Sequence, residues 1–325
     1  MQTIGLDIGY GYTKAVTNGR EISFPSVVGL AVKIRYHNDL VKTGGGYYTY
    51  GVAGGEWFVG DFAKLQSQWT TSPRSRERTG METINVLFCA AMHRLGVSGD
   101  VSLTTGLPVK WYEDRDDLMH QLSGEHTFTV NDQEERVNVV NVAVIPQPFG
   151  AFYSAILDLD GRLANDTLAA GRVGILDIGM HTTDFALADK LRYVENASDS
   201  DTVAMARAYE LIARDVAEQH RLALDVHDVD HALRNGRSVK VRGEAHDISN
   251  LADRALQAVA EDILGKAATL WGRGRRIDKI LVTGGGSYEM HSFIYERYPH
   301  AVMVQEPEKA NARGFYCYAL RKWGR

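Results

Sequence analysis

Two short segments of this chain are near copies of one another and lie about half a chain apart. Residues 5–14 read GLDIGYGYTK and residues 174–184 read GILDIGMHTTD, which puts Asp7 and Asp177 170 positions apart in a chain of 325 residues. In each copy an apolar run ends in Asp, a Gly-containing turn follows, and a second apolar run begins (Thr13 to Val16; Asp184 to Leu187). That order of residue types predicts a β-hairpin with a carboxylate near its tip. Short Leu-Asp-Ile-Gly matches also recur by chance, so the remainder of each half has to carry the reading of two similar lobes facing each other.

The first half continues with an apolar run from Ile22 to Val28, a Gly-rich segment at Gly44-Gly45-Gly46, and an aromatic-rich stretch from Tyr47 to Ala63 that reads as a hairpin around Gly54-Gly55. Residues 67–80 are polar and loop-like and contain Arg74, Arg76 and Arg78. Ile84, Leu87, Phe88 and Met92 recur at helical spacing and predict a helix from Met81 to Leu95, followed by a strand from Val101 to Leu107 that stops at Pro108. The second half is more helical. Thr202 to His220 is expected as a helix with Ser200 and Asp201 as capping candidates, and Ile248 to Gly272 as the longest helix. A strand from Ile277 to Val282 runs into Thr283-Gly284-Gly285-Gly286-Ser287, a helix is expected near Tyr288 to Tyr298, and another closes the chain over 311–325. Strands alternating with helices in both halves indicate an α/β chain.

Composition removes several function classes. With 44% apolar and 24% charged residues the chain can bury a sizeable core, and its length suits two domains. A formal net charge of -5, with Lys and Arg dispersed, argues against a dedicated nucleic-acid binder. The two cysteines, Cys89 and Cys317, form no CxxC, and the eleven histidines show no ligand spacing, which argues against a disulfide framework or a zinc site. No apolar run approaches the roughly 20 residues of a membrane span, and the strand-like start leaves no signal peptide, so a cytosolic protein is expected.

Four segments carry residue types suited to phosphate chemistry. In the first turn Gly9 and Gly11 let the backbone bend and bring its N–H groups to an anion, while Thr13 and Lys14 add a hydroxyl and a cation. Asp7 beside a polyphosphate makes sense only with a metal ion, and Mg²⁺ takes one or two carboxylates and otherwise keeps water. An ordinary tight hairpin with a satisfied Asp meets the same pattern. The second turn, Asp177 to Asp184, offers the same parts without the lysine; His181 reads as a loop donor and Asp184 as a cap or salt-bridge partner. Gly284-Gly285-Gly286 lets a ligand lie against bare backbone, or simply makes a tight turn. In Pro146-Gln147-Pro148 two prolines fix the backbone around a Gln that either orients an attacking water or satisfies a local backbone group.

Taken in order, these segments resemble the superfamily of actin, the heat-shock chaperones and the sugar kinases. The resemblance covers a first phosphate loop (Asp7 to Lys14), a first connection (Pro146 to Ala155), a second phosphate loop (Asp177 to Asp184), an adenosine loop (Val282 to Ser287) and a second connecting helix (Asn311 to Leu320), and so spans nearly the whole chain. Phe24-Pro25-Ser26, Val59-Gly60-Asp61, the Pro-Gln-Pro turn and Ala310-Asn311-Ala312-Arg313-Gly314 look like the bacterial and archaeal ParM/StbA plasmid-segregation type. The resemblance implies a two-lobed actin-like fold, each lobe built on a mixed sheet of five-stranded type with flanking helices. Residues 1–150 plus 311–325 would form one domain, with a small subdomain at about 29–80, and 151–310 the other. ATP (GTP is the alternative) would lie in the cleft with Mg²⁺ held mainly through water by Asp7 and Asp177. Gly9, Tyr10, Gly11, Tyr12, Thr13, Lys14, Gly179, Met180, His181 and Thr182 would surround the phosphates. Gly284, Gly285, Gly286 and Ser287 would hold the adenosine, and Glu210 is the expected contact from the 202–218 helix. Gln147 and Asp177 are the implied catalytic residues.

Three functions compete on such a fold. The first is a slow ATPase that polymerises head-to-tail for DNA segregation, with a DNA-binding adaptor of ParR type and no direct nucleic-acid or membrane contact. The second is a small-molecule kinase, for which no substrate-binding insertion is evident. The third is a chaperone-like ATP switch, for which no appended substrate domain follows residue 325. Arg273-Gly274-Arg275-Arg276 and the Arg74–Arg78 run read either as filament or nucleic-acid contacts or as solvated loops.

Overall fold

A computed structural model describes residues 1–35, 47–73 and 78–324, with side chains from Met81 onward in the helix that begins at Arg78. Gly44–Gly46, Arg74, Arg76 and the side chain of Arg78 therefore lie outside the described residues.

Each copy of the repeat begins a sheet. Gln2–Ile8 pairs antiparallel with Tyr12–Thr17, and Arg172–Ile178 pairs antiparallel with Thr183–Asp189. Ile8 stands opposite Thr13 in the first hairpin and Ile178 opposite Thr183 in the second, at the same offset of 170 that the sequence repeat carries. A third antiparallel strand follows in each half, Arg20–Pro25 and Arg192–Tyr193. On the other side of the leading strand each half adds two parallel strands: Gly99–Leu107 and Gln133–Pro146 in the first, Lys279–Thr283 and Ala301–Met303 in the second. This five-stranded centre is common to both. Five further strands, Gly124–Val130, Tyr50–Val52, Gly55–Val59, Val28–Leu30 and Thr70–Thr71, extend the first sheet to ten, and Asp199–Asp201 brings the second to six. The expectation of five strands per lobe thus describes the shared centre. Of the extensions, the hairpin expected over Tyr47 to Ala63 is present as Tyr50–Val52 paired with Gly55–Val59, whereas the other three strands, only two to seven residues long, were not expected.

The leading strands are apolar because they are covered on both faces. From Val173 to Ile178 every residue is buried, as expected for a central strand between helix layers. On one side of the second sheet Ile212, Val216, Val259 and Ile263 pack from helices Met205–His220 and Ser249–Trp271. On the other side lie Phe152 and Phe315, from helices Pro148–Ile156 and Ala310–Trp323. The expected helix at Thr202 starts three residues later. Asp199–Asp201 is drawn into the sheet beside Thr183–Asp189, and Ala204, with no side-chain bond to the helix, takes the capping position instead of Ser200 or Asp201. Both cysteines are buried and unpaired, and burial pushes the Cys89 thiol up to about 12 and that of Cys317 to about 11. No helix among the described residues is long and apolar enough to cross a membrane.

Helices Pro148–Ile156 and Ala310–Trp323 form the seam between the sheets. A Cβ at Gly314 would fall 1.6 Å from the Gly150 carbonyl oxygen, and one at Gly5 would fall 2.1 Å from the Ala312 carbonyl oxygen. Backbone therefore meets backbone along the seam, leaving no volume for a side chain. Gly314→Val is expected to lower stability by about 3 kcal/mol or to prevent folding, since overpacking a rigid contact has no low-cost relaxation. Gly265, on the exposed face of helix Ser249–Trp271 with nothing within 4 Å of an added Cβ, gives the opposite sign. Gly265→Ala should stabilise by about 0.5–1 kcal/mol. Urea unfolding midpoints of the two variants check both.

Candidate functional site: a cleft between two matched hairpins

The two turns close in the same way. The Gly9 N–H donates to the Tyr12 carbonyl at 3.1 Å, and the Gly179 N–H donates to the Thr182 carbonyl at 2.9 Å. Their tips meet, for a Cβ on Gly11 would sit 3.1 Å from the Met180 Cβ. The hairpins differ at the position opposite the repeated aspartate. Lys14 stands opposite Asp7, whereas Asp184 stands opposite Asp177.

That single difference sets the electrostatics. Asp7 is buried but compensated: the Lys14 ammonium lies 3.3 Å from its Oδ2, and the Gln147 amide donates to its Oδ1 at 2.8 Å. Asp177 has no cation opposite. Burial, then the neighbouring Asp184 charge, push its carboxyl up to about 7, against the Asn311 side-chain amide, which donates to Oδ2 at 2.7 Å. Asp184 is also raised by burial, to about 6, although it accepts hydrogen bonds from the Ser200 hydroxyl, the Val109 N–H and the Thr182 hydroxyl. The Val109 bond, at 2.9 Å, ties the two halves together. Asp184 is thus a partner to backbone and hydroxyl donors, in keeping with the capping role its residue type suggests.

A cavity of about 880 Å³ lies between the hairpins, lined from one half by Asp7, Gly9, Tyr10, Gly11, Tyr12, Lys14 and Gln147. From the other half Asp177, Gly179, Met180, Thr182 and Gly284 to Gly286 face it. The glycine run has a packing reason as well. Gly284 has φ +86°, and a Cβ there would fall 2.4 Å from both Asp177 Oδ1 and the Ile178 carbonyl oxygen, so the loop lies directly against the second hairpin.

Four expected residues lie outside this lining. Thr13 is fully buried on the other face of its strand, its hydroxyl 2.8 Å from that of Ser26, because alternate residues of a strand point to opposite faces. Ser287 is fully buried at the start of the helix that follows the glycine run. His181 sets its ring edge-on to Tyr10, with centroids 5.7 Å apart. Glu210 is exposed, and its neighbours Met205 and Tyr209 are the residues of that helix that reach the cavity. At 100° per residue a one-position error moves a side chain from the cleft face to solvent.

The sequence reading missed Asn311 as a partner of Asp177 and missed helix Val226–Arg234 altogether. The signal for that helix was present: Asp225 and Asp228 form a capping box. Within it the buried Asp230 accepts from the Tyr209 hydroxyl at 2.9 Å and from Arg234 Nε at 3.0 Å. From the opposite half the Tyr12 hydroxyl donates to the same carboxylate at 3.3 Å, and Lys64 approaches Asp225 at 3.6 Å. These contacts join the two halves, and Tyr12 and Asp230 both line the cavity. Burial, then the Asp230 charge, push the Tyr12 phenol up to about 12.

Residues 5–150 match the family model of the N-terminal domain of actin-like proteins, and residues 175–296 match that of the MreB-like archaeal actin homologue, C-terminal. The chain belongs to the actin-like proteins. An archaeal actin homologue of Thermoplasma acidophilum is 23% identical to this actin-like chain over 97% of its length and 98% of the relative's. The crystal structure of an archaeal actin homologue superposes with a TM-score of 0.83 at 21% identity, covering 99% of this chain and all of the other. That homologue in complex with ADP gives 0.81 at 20% identity, over 99% of this chain and all of the other. A 15-stranded ParM filament from Clostridium botulinum gives 0.81 at 22%, over 98% of both chains. This actin-like chain accordingly has the fold of those structures.

Two buried carboxylates, a lysine, a glutamine amide and bare glycine backbone suit a magnesium polyphosphate. No group of three or more His, Cys, Asp or Glu among the described residues is arranged to hold a metal. A cation between Asp7 and Asp177 would take its remaining positions from water and ligand oxygens, which is the habit of Mg²⁺. In metal-free protein the raised Asp177 has a defined sign. The folded chain holds a proton that the unfolded chain releases near pH 4, so its stabilising contribution is complete below that pH and is lost as pH rises towards 7. Relative to wild type, Asp177→Asn should therefore gain stability as pH rises from about 4 to about 7, measured by chemical denaturation in a chelator. A difference that stays flat with pH would contradict this.

Proposed function

We propose that this chain is a Mg²⁺-dependent ATPase that assembles head-to-tail into filaments. The observation that carries the reading is the pair of hairpins closed by the same backbone bond at an offset of 170 residues, which bring Asp7 and Asp177 to one cavity. In this reading residues 1–150 plus 311–325 and residues 151–310 are the two domains, and a nucleotide lies between them. A bound magnesium nucleotide would supply the electrophilic phosphoryl group, its cation offsetting part of the phosphate charge. The chain supplies position. Lys14 and N–H groups of both glycine turns would face the phosphates, Asp7 and Asp177 would orient the hydrated cation, and Gly284 to Gly286 would accept the nucleoside against backbone.

Gln147 is the residue we assign to the attacking water. Its amide is committed to Asp7 at 2.8 Å, which holds its carbonyl oxygen in place to accept from a water beside the first carboxylate. Pro146 and Pro148 restrict the backbone on either side, so the side chain is positioned without entropy lost at the moment of reaction. Tyr12–Asp230 and Lys64–Asp225 are contacts made between the two halves, and they favour the arrangement in which the halves meet.

Self-assembly is supported by the likeness to a ParM filament, and a role in DNA segregation through a DNA-binding adaptor of ParR type is the specific form we favour. A contact between unlike surfaces of two copies propagates instead of closing, which is what a filament needs. Light scattering and pelleting with ATP, ADP and a non-hydrolysable analogue, run with phosphate release, test the proposal. Assembly is expected with ATP and the analogue. Gln147→Ala should assemble with ATP but release phosphate on the order of 10- to 100-fold more slowly, with slower disassembly. Phosphate release with no assembly at any concentration would remove the filament and leave the ATPase.

A further inference from the structure

The Arg273-Gly274-Arg275-Arg276 segment has no part in the cleft. It lies at the opposite end of the second sheet, where Arg172 begins the strand whose other end carries Asp177. At about 3.3 Å per residue the two ends are about 17 Å apart. Here Arg172, Arg273, Arg275 and Arg276 surround a second cavity of about 520 Å³, floored by Trp271 and Ile277, and no carboxylate lines it. In a chain of net charge -5, four guanidinium groups around one hollow are a local reversal of sign.

Two features separate this hollow from a solvated basic loop. The loop is pinned: the Gly274 N–H donates to the Trp271 carbonyl at 3.0 Å, the Ile277 N–H to the Gly274 carbonyl at 2.9 Å, and the Tyr298 hydroxyl to the Gly272 carbonyl at 3.1 Å. Gly274, at φ +67°, packs against Tyr298 and His300. The arginines are therefore carried on a preformed frame. Arg172 is held by one arm only, its Nη1 donating to Asp189 at 2.9 Å, while its Nε is buried without a partner. A buried donor left unpaired is costly, so this guanidinium is incompletely satisfied by the chain itself. Arg273, Arg275 and Arg276 are exposed and make no ion pair among the described residues. Asp278, next to Ile277 in the chain, accepts from the Arg172 backbone N–H at 2.7 Å.

We propose that this hollow is an anion site that takes a phosphate-bearing small molecule, separate from the nucleotide cleft. Guanidinium forks match phosphate oxygens in pairs, and a concave, pinned frame suits a discrete anionic group better than an extended strand. The site stands or falls independently of the cleft reading.

The test is calorimetric titration of the full chain with inorganic pyrophosphate in a chelator, which withholds the cation that a polyphosphate in the cleft requires beside Asp7 and Asp177, using wild type, the double variant Arg273→Ala/Arg276→Ala, and Lys14→Ala. Saturable binding to wild type and to Lys14→Ala, at least tenfold weaker in the double variant with its thermal midpoint unchanged, is the expected result. Binding lost in Lys14→Ala but kept in the double variant would assign the anion to the cleft and overturn the proposal, as would no saturable binding in any protein. A parallel titration with a 20-base-pair duplex separates the remaining source. Arginine-dependent binding of duplex without binding of pyrophosphate would make this face a nucleic-acid contact and likewise overturn the small-anion site.

Discussion

Two buried carboxylates face one cavity from opposite halves of the chain, and the rest of the molecule is arranged around keeping them there. Burying a carboxylate is costly unless it is paired or hydrogen-bonded. The first is compensated by Lys14 and Gln147, both from its own half. The second is compensated by Asn311, which reaches it from the helix that closes the chain. The protein thus uses unequal means on equivalent strands: a full cation on one side, a neutral amide on the other. The result is an aspartate that readily holds a proton in the bare protein and ionises more readily beside a cation.

The seam between the halves follows from the same need. Asn311 reaches Asp177 only because helix Ala310–Trp323 lies against the backbone of Gly5 and Gly150. Its Oδ1 also accepts from the Ala151 N–H at 3.0 Å, so one side chain links the closing helix, the helix after Gln147 and the second carboxylate. Glycines at 5, 150 and 314 are required by proximity and not by unusual backbone angles. Packing at the seam and chemistry in the cleft are coupled through a single amide.

Much of this was legible in the chain. The repeat is visible because hairpin turns demand glycine and because the carboxylate must stay at one position relative to the turn. The long helices are visible because they bury one face. Of the extra strands of the first sheet, the hairpin around Gly54-Gly55 was legible from its aromatic residues and glycines; the others were hard to see, since short strands carry too few residues for alternation to register. Glu210 was misplaced by one position against Tyr209, because periodicity constrains which face is apolar but not which polar neighbour turns towards a cleft. Helix Val226–Arg234 carried a capping box that went unread among its charged residues, and with it went Asp230.

By itself the sequence determined the fold class, the duplicated hairpins and the residues of both turns, all of which rest on local rules of turn geometry and burial. Only the tertiary structure decided which of those residues share a cavity. Thr13 and Ser287 are the right residue types in the right turns, yet strand alternation and packing turn them into the interior. Gln147 and Asp7, 140 positions apart, meet at 2.8 Å, as do Tyr12 and Asp230 from the two halves at 3.3 Å. Contacts between distant segments depend on how sheets and helices stack. No local pattern encodes that stacking, and so the partners of the carboxylates emerged only from the folded chain.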